Sequence, residues 1–216
     1  ADQKNAEWNI VGVSQGGLGL DTRDYYLSDD AQNKRILEAY KAYLKKLFLM
    51  TGNDEAAAEK KMQAVINIET RIAKASYDRV KLRDIEANYH KMTYAQLIND
   101  FPGIDWGNVF LASGFPAFDY VDVGQPEPIH EVEKILAEAS LDDLKSYAEA
   151  KVIGGATSVL GDEFRKVSFE LSSVMTGVKE DRPRWKRAVG LVSGTLGEAI
   201  GKLYVEKYFP ESSKKR

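Results

Sequence analysis

The chain has 216 residues, 44% of them hydrophobic, which is enough for the core of one large domain or two small ones and excludes a disordered chain. Thirty basic residues against 33 acidic ones leave a formal charge of -3, so no field gathers nucleic acid or an anionic membrane, and neither is expected as a partner. The absence of cysteine excludes a disulfide framework, a thiolate nucleophile and sulfur-ligated zinc, although it does not locate the protein.

No apolar run approaches the roughly 20 residues of a membrane helix, so no membrane segment is expected here. The start, Ala1-Asp-Gln-Lys-Asn5, lacks the basic and apolar regions of a signal peptide, so any signal is expected upstream.

Trp8-Asn-Ile-Val-Gly-Val13 reads as a short strand that ends in the turn cluster 14–17. After Arg23-Asp-Tyr-Tyr26, Asp29 and Asp30 are placed to cap a helix with Ile36, Leu37, Tyr40, Tyr43, Leu44, Leu47 and Phe48 at three-and-four spacing, stopped by Gly52. Asn53 is expected to cap a second long helix, in which Met62, Val65, Ile66, Glu69, Ile72 and Ala73 share a mostly apolar face. The two form an antiparallel hairpin.

Thr93-Tyr-Ala-Gln96 is a capping box that opens a short helix stopped at Pro102-Gly103, and Asp105 caps another through Trp106, Val109 and Phe110. Residues 115–128 concentrate Pro and Gly around the alternating Tyr120-Val-Asp-Val123, which reads as a linker with one edge strand and a sub-boundary within a single helical lobe over 1–216. Helices follow from 129 to 139 and from Ser140 onward, the latter with capping-box logic at Asp143 and breaks near Gly154-Gly155 and Gly161. Pro183 suits the first turn of a terminal helix, expected from Trp185 to Phe209, that carries Val189, Val192, Leu196, Ile200, Leu203 and Tyr204. The fold class is therefore mainly α: a multi-helix lobe with a long helical hairpin and two or three short strands.

Candidate chemistry is sparse. His130-Glu131-Val-Glu-Lys134 begins like the helical zinc motif that places two imidazoles four residues apart with a Glu as general base, but the second ligand position holds a Lys. No metal ligands are assigned. The other histidine, His90, sits in a loop before the capped helix with no ligand spacing around it. Gln15-Gly-Gly-Leu-Gly-Leu20 lacks the Lys-Ser/Thr of a phosphate loop and reads as a turn, so no cofactor-binding residue is assigned. Asp142, Asp143, Asp162 and Glu163 read as caps and solvated faces, and Ser172-Ser173 has no elbow motif or neighbouring base. No catalytic residue is assigned.

Several phrases in chain order resemble the neprilysin and endothelin-converting-enzyme family of zinc metallopeptidases. They are Asp2-Gln-Lys-Asn5, then Gly17-Leu-Gly-Leu-Asp-Thr-Arg-Asp-Tyr-Tyr26 with Asp21 where the family usually has Pro, and Glu69-Thr-Arg-Ile-Ala-Lys-Ala-Ser76. Arg83-Asp84, Tyr89-His-Lys-Met-Thr93 with His90 in place of the usual Asn, Trp185-Lys-Arg and Gly201-Lys-Leu-Tyr-Val-Glu complete the series. Animal members carry a Cys where Ala188 stands, and its absence fits a bacterial, PepO-like relative.

The resemblance implies two mostly helical lobes around an internal cavity. The larger lobe carries zinc and cleaves peptides; the smaller is a non-catalytic lid that limits access to peptides of modest size. This chain corresponds to most of the smaller lobe, so the resemblance implies zinc in the parent endopeptidase and none here, with the C-terminal catalytic lobe as partner. It further implies that the 216-residue chain is inactive alone, and it favours the cell envelope or periplasm over the cytoplasm for the parent. Asn5-Ala-Glu-Trp8 superficially echoes the family's substrate-binding phrase but stands on the wrong side of this region, so no role passes to Asn5 or Ala6. A lobe separated from its partner is expected to expose apolar surface. The alternative is a stand-alone helical protein-interaction domain, and a third reading is an enzyme built on the carboxylates.

Overall fold

The computed structural model describes residues 1–209 and 211–214. The chain divides into two compact units, Ala1–Thr176 and Gly177–Arg216. In chain order the first holds β1 (Val11–Val13), α1 (Asp24–Leu27), α2 (Ala31–Met50), α3 (Glu55–Ala75), β2 (Lys91–Thr93), α4 (Tyr94–Asp100), α5 (Trp106–Ala112), β3 (Tyr120–Val123), α6 (Pro126–Glu138), α7 (Leu141–Ala156) and α8 (Asp162–Thr176). The second holds α9 (Arg184–Thr195), α10 (Gly197–Tyr208) and α11 (Glu211–Lys214). The class is mainly α, as the periodicity predicts.

The hairpin of α2 and α3 is the frame of the first unit. Asp30 accepts from the N–H groups of Gln32 and Asn33 to start α2, and Ile36, Tyr40, Leu44 and Phe48 then recur on one buried face. Gly52, at φ +92°, turns the chain. The cap of α3 is Asp54, which accepts from the Ala57 N–H, not the expected Asn53. Asn53 reaches back instead and donates to the Phe48 carbonyl, closing the end of α2. Two adjacent residues thus divide the work of ending one helix and starting the next. On the outside of this pair α8 packs against α2, and α6 and α7 pack against α3.

A second core lies under the small sheet, built from Leu97, Phe101, Trp106, Phe110, Val121 and Val123. The strand order is β1-β3-β2, with β1 parallel and β2 antiparallel to β3. The expected edge strand is therefore the central one. Its alternation decides this: Val121 and Val123 are fully buried, which two flanking strands and the helices below make possible. The Pro and Gly that suggested an edge lie outside the paired residues. The strand β2 is short enough to be hidden inside the capping-box phrase, in which Thr93 both ends the strand and caps α4, with Gln96 completing the box.

Three further expectations are revised. The first strand is three residues long, because residues 2–8 form a separate tight turn in which the Asp2 and Trp8 N–H groups donate to the Trp8 and Asn5 carbonyls. Arg23-Asp-Tyr-Tyr26 includes a single helical turn, α1. The expected terminal helix is two helices that meet at Leu196, where Gly194, Thr195 and Gly197 supply little helix propensity. By contrast α7 runs through Gly154-Gly155 and stops at Thr157.

In the second unit no residue with a described side chain is buried. Trp185 and Val189 on α9 and Leu203 on α10 are each more than half exposed, although both helices carry apolar positions at helical spacing. No helix among the described residues is long and apolar enough to cross a membrane.

Candidate functional site

The half-motif on α6 is occupied with holding the fold. His130 Nδ1 lies 3.0 Å from Glu133 Oε2, and its ring lies against Phe101 at 4.5 Å between centroids. The other oxygen of Glu133 accepts from the Gly103 N–H at 2.6 Å, so the pair clamps the α4–α5 loop onto α6. Glu131 points to a different neighbour, accepting from Arg71 Nε of α3 at 2.7 Å, and Lys134 Nζ stands 4.0 Å from it. A zinc site needs converging neutral donors, and these residues diverge toward different partners, with the Lys134 cation where the second imidazole would stand. They do not fit the metal.

His90 is fixed beside β3. Its N–H donates to Asp122 Oδ1, and its Nδ1, 2.8 Å from the Val123 carbonyl, is the donor there because a carbonyl can only accept. Among the described residues no group of three His, Cys, Asp or Glu is placed to hold a metal ion. Asp142 and Asp143 occupy the first turn of α7, and Asp162 and Glu163 that of α8, where negative charge is favoured by the helix dipole. Ser172 and Ser173 lie within α8.

The most fully built polar cluster centres on Glu69, which is completely buried in α3. Its Oε2 accepts from the Tyr26 hydroxyl at 2.8 Å, and its Oε1 accepts from the Tyr40 hydroxyl at 3.1 Å and from Lys151 Nζ of α7 at 2.6 Å. Three donors from three elements satisfy one carboxylate, as a buried charge requires. Burial first, and the adjacent carboxylate second, push the hydroxyls of Tyr26 and Tyr40 far above the usual tyrosine range, so both stay protonated as donors. Tyr147 is pushed up to about 12 by the same two causes.

This cluster shapes the glycine-rich loop. The Tyr26 hydroxyl accepts from the N–H groups of Gly19 and Leu20 while donating to Glu69. Gly19 has no room for a side chain, since a Cβ there would lie 1.8 Å from the Tyr40 hydroxyl. Gly17 adopts φ +87°, and its carbonyl accepts from the Tyr147 hydroxyl at 2.6 Å. Gln15 is tied at both ends of its side chain to the Tyr77 backbone, and its N–H donates to Gln125 Oε1. The Gly19 and Leu20 N–H groups are therefore spent on Tyr26 and the Gln15 N–H on Gln125. In the sequence Glu69 shares a mostly apolar face and carries no assigned function; an acid amid that stripe, with two tyrosines elsewhere to donate, is the signal that points to the cluster.

Beside this loop lies an apolar cleft of about 370 Å³ between α3, α6 and α7. Its wall includes Gly16 and Gly17, faced by Ile72, Val132, Leu136 and Tyr147. No nucleophile and base are paired there.

A mainly α lobe with a three-stranded mixed sheet and a Glu-anchored glycine loop defines the fold class. Residues 1–216 match the N-terminal sequence model of Peptidase family M13, and the chain belongs to that family. It is 33% identical over 224 aligned residues to endothelin-converting enzyme 1 of Rattus norvegicus, covering 99% of this chain and 29% of the relative. To the enzyme of that name from Homo sapiens it is 34% identical, over 99% of this chain and 28% of the relative. Among solved structures, the zinc metalloprotease Zmp1 of Mycobacterium tuberculosis in its open state superposes with a TM-score of 0.87 at 32% identity, over 96% of this chain and 32% of that one. PepO from Lactobacillus rhamnosis shares the fold, with a TM-score of 0.86 at 18% identity over 98% of this chain and 34% of that one. The chain thus spans less than a third of the length of the curated relatives it matches.

Proposed function

We propose that residues 1–216 form the non-catalytic helical lobe of a zinc-dependent endopeptidase, one that covers the active-site cavity and restricts it to peptides of modest size. The observation that carries this reading is the match to the family over the whole chain, against relatives more than three times as long. The geometry supports it. Histidines and acids that a hydrolase would use are tied into loop clamps, caps and the Glu69 cluster, so this part supplies shape and rigidity. The exposed apolar faces of α9 and α10 are suited to burial against more protein. On this reading zinc and the general base belong to sequence beyond Arg216, with that catalytic part as partner, and the lobe excludes water and large substrates during hydrolysis.

The test uses the polypeptide extended past Arg216. One scissile sequence is offered in a short peptide and within a long unfolded protein. An access-restricting lobe predicts that kcat/KM falls by at least about tenfold for the long chain. Equal values would sink the lid assignment, and a stop codon directly after Arg216 would support the stand-alone interaction domain.

A further inference from the structure

We propose that the free edge of β1 and the cleft beside it form a docking site for an extended peptide segment carrying an aliphatic side chain. The backbone pairing defines the edge. Gly124 N–H donates to the Val13 carbonyl, whereas the Val123 N–H turns the other way to the His90 carbonyl. Successive residues of a strand direct their backbone groups to opposite sides, so Val11 and Val13 face β3 and Gly12 turns its N–H and C=O outward. Because β1 is an outer strand, that outward edge has no neighbouring strand among the described residues. Gly12 is exposed, so its outward N–H and C=O lie beside solvent. An open edge of this kind is a template for one more strand.

The cleft lies where this strand leads. Ser14 directly follows β1 and shares the cleft wall with Gly16 and Gly17, while Ile68, Val132 and Leu136 face them. At about 370 Å³, and with no charged residue in its lining, it has the size and polarity for an aliphatic side chain and penalises a charged one. The wall is set before any ligand arrives. The Tyr147 hydroxyl holds the Gly17 carbonyl, Gln15 is fastened to Gln125 and Tyr77, and Tyr26 ties Gly19 and Leu20 to Glu69. A preformed wall lowers the ordering cost of binding.

The two features together select the occupant. A helix or a small apolar molecule has no use for the Gly12 donor and acceptor, whereas an extended peptide pairs with them and projects side chains at strand spacing. Main-chain pairing then supplies sequence-tolerant affinity, and the cleft supplies the preference for an aliphatic residue. The inference stands on this edge and cleft and does not depend on the lid assignment.

The test is fluorescence polarisation with the 216-residue chain and a labelled Thr-Val-Thr-Leu-Thr-Val-Thr peptide. Saturable binding is expected, weakened at least about tenfold by N-methylation of alternate peptide amides and by Asp in place of the central Leu. In the protein, Gly12→Pro removes the outward donor and Leu136→Glu places a charge among the cleft residues; each is expected to weaken binding by a similar factor while the thermal melt is unchanged. If Gly12→Pro fails to fold, the N-methylated peptide against the unaltered chain asks the same question. No saturable binding, or binding indifferent to N-methylation, overturns the proposal. Binding indifferent to both Leu136→Glu and the Asp peptide overturns it as well.

Discussion

Glu69 is the residue on which the most elements depend. Its carboxylate is the shared acceptor for α1, α2 and α7, and the glycine loop hangs from it through Tyr26. Glu69→Ala strands two tyrosine hydroxyls and the Lys151 ammonium, and is expected to cost about 3 kcal/mol in urea unfolding, with Glu69→Gln costing less because an acceptor remains. An alanine variant as stable as the parent would contradict the cluster's role. Gly19→Ala drives a methyl into the Tyr40 hydroxyl, so it is expected to lower the melting temperature, while Gly12→Ala, with open space around it, leaves it nearly unchanged.

Asp2 carries a pH dependence of definite sign. Its carboxylate accepts from Lys91 Nζ, the Lys4 N–H and the Tyr89 hydroxyl, and these hydrogen bonds, Lys91 first, lower its pKa to about 2. A folded value below the unfolded one stabilises the native state above about pH 4, and that contribution is lost as pH falls toward about 2. Asp2→Asn is therefore expected to lower stability near neutrality and to flatten the acid limb of stability against pH. Parallel limbs for the two proteins would refute this.

At the scale of elements, what was legible was what local chemistry dictates. The Asp30 cap, the Thr93 box, the Asp105 cap and the Ser140 cap all stand where the side chains asked for them. The long hairpin followed from its apolar stripe. Where two local signals competed, tertiary structure chose: Asn53 and Asp54 are both good caps, and the pull of the Phe48 carbonyl on Asn53 settled the matter. Asp54→Ala is accordingly expected to cost about 1 kcal/mol by the α3 start, measured as helix stability in denaturant. The place of β3 in the sheet was not legible, because partners more than 100 residues away in β1 decide whether a strand is central. The Glu69 cluster was hidden for the same reason. Its donors come from positions 26, 40 and 151, and spacing along one helix does not report them.

At the scale of the molecule, the first unit has its own cores and a satisfied interior, with no unpartnered buried side-chain polar atom among the described residues. The second unit is two amphipathic helices and a short third, and among its described side chains none is buried, too little core to stand as a domain by itself. Family phrases distributed from Asp2 to the Tyr-Val-Glu of α10 made the membership legible.

The central claim is that this lobe serves an enzyme without carrying its chemistry. It is tested most directly by measuring zinc content and hydrolysis of a fluorogenic peptide for two proteins side by side: residues 1–216, and the polypeptide extended beyond Arg216. The account predicts no zinc and no hydrolysis for the first, and one zinc per chain with peptide cleavage for the second. Stoichiometric zinc or peptide cleavage in residues 1–216 alone, or an extended polypeptide that binds no metal and cleaves nothing, would contradict it.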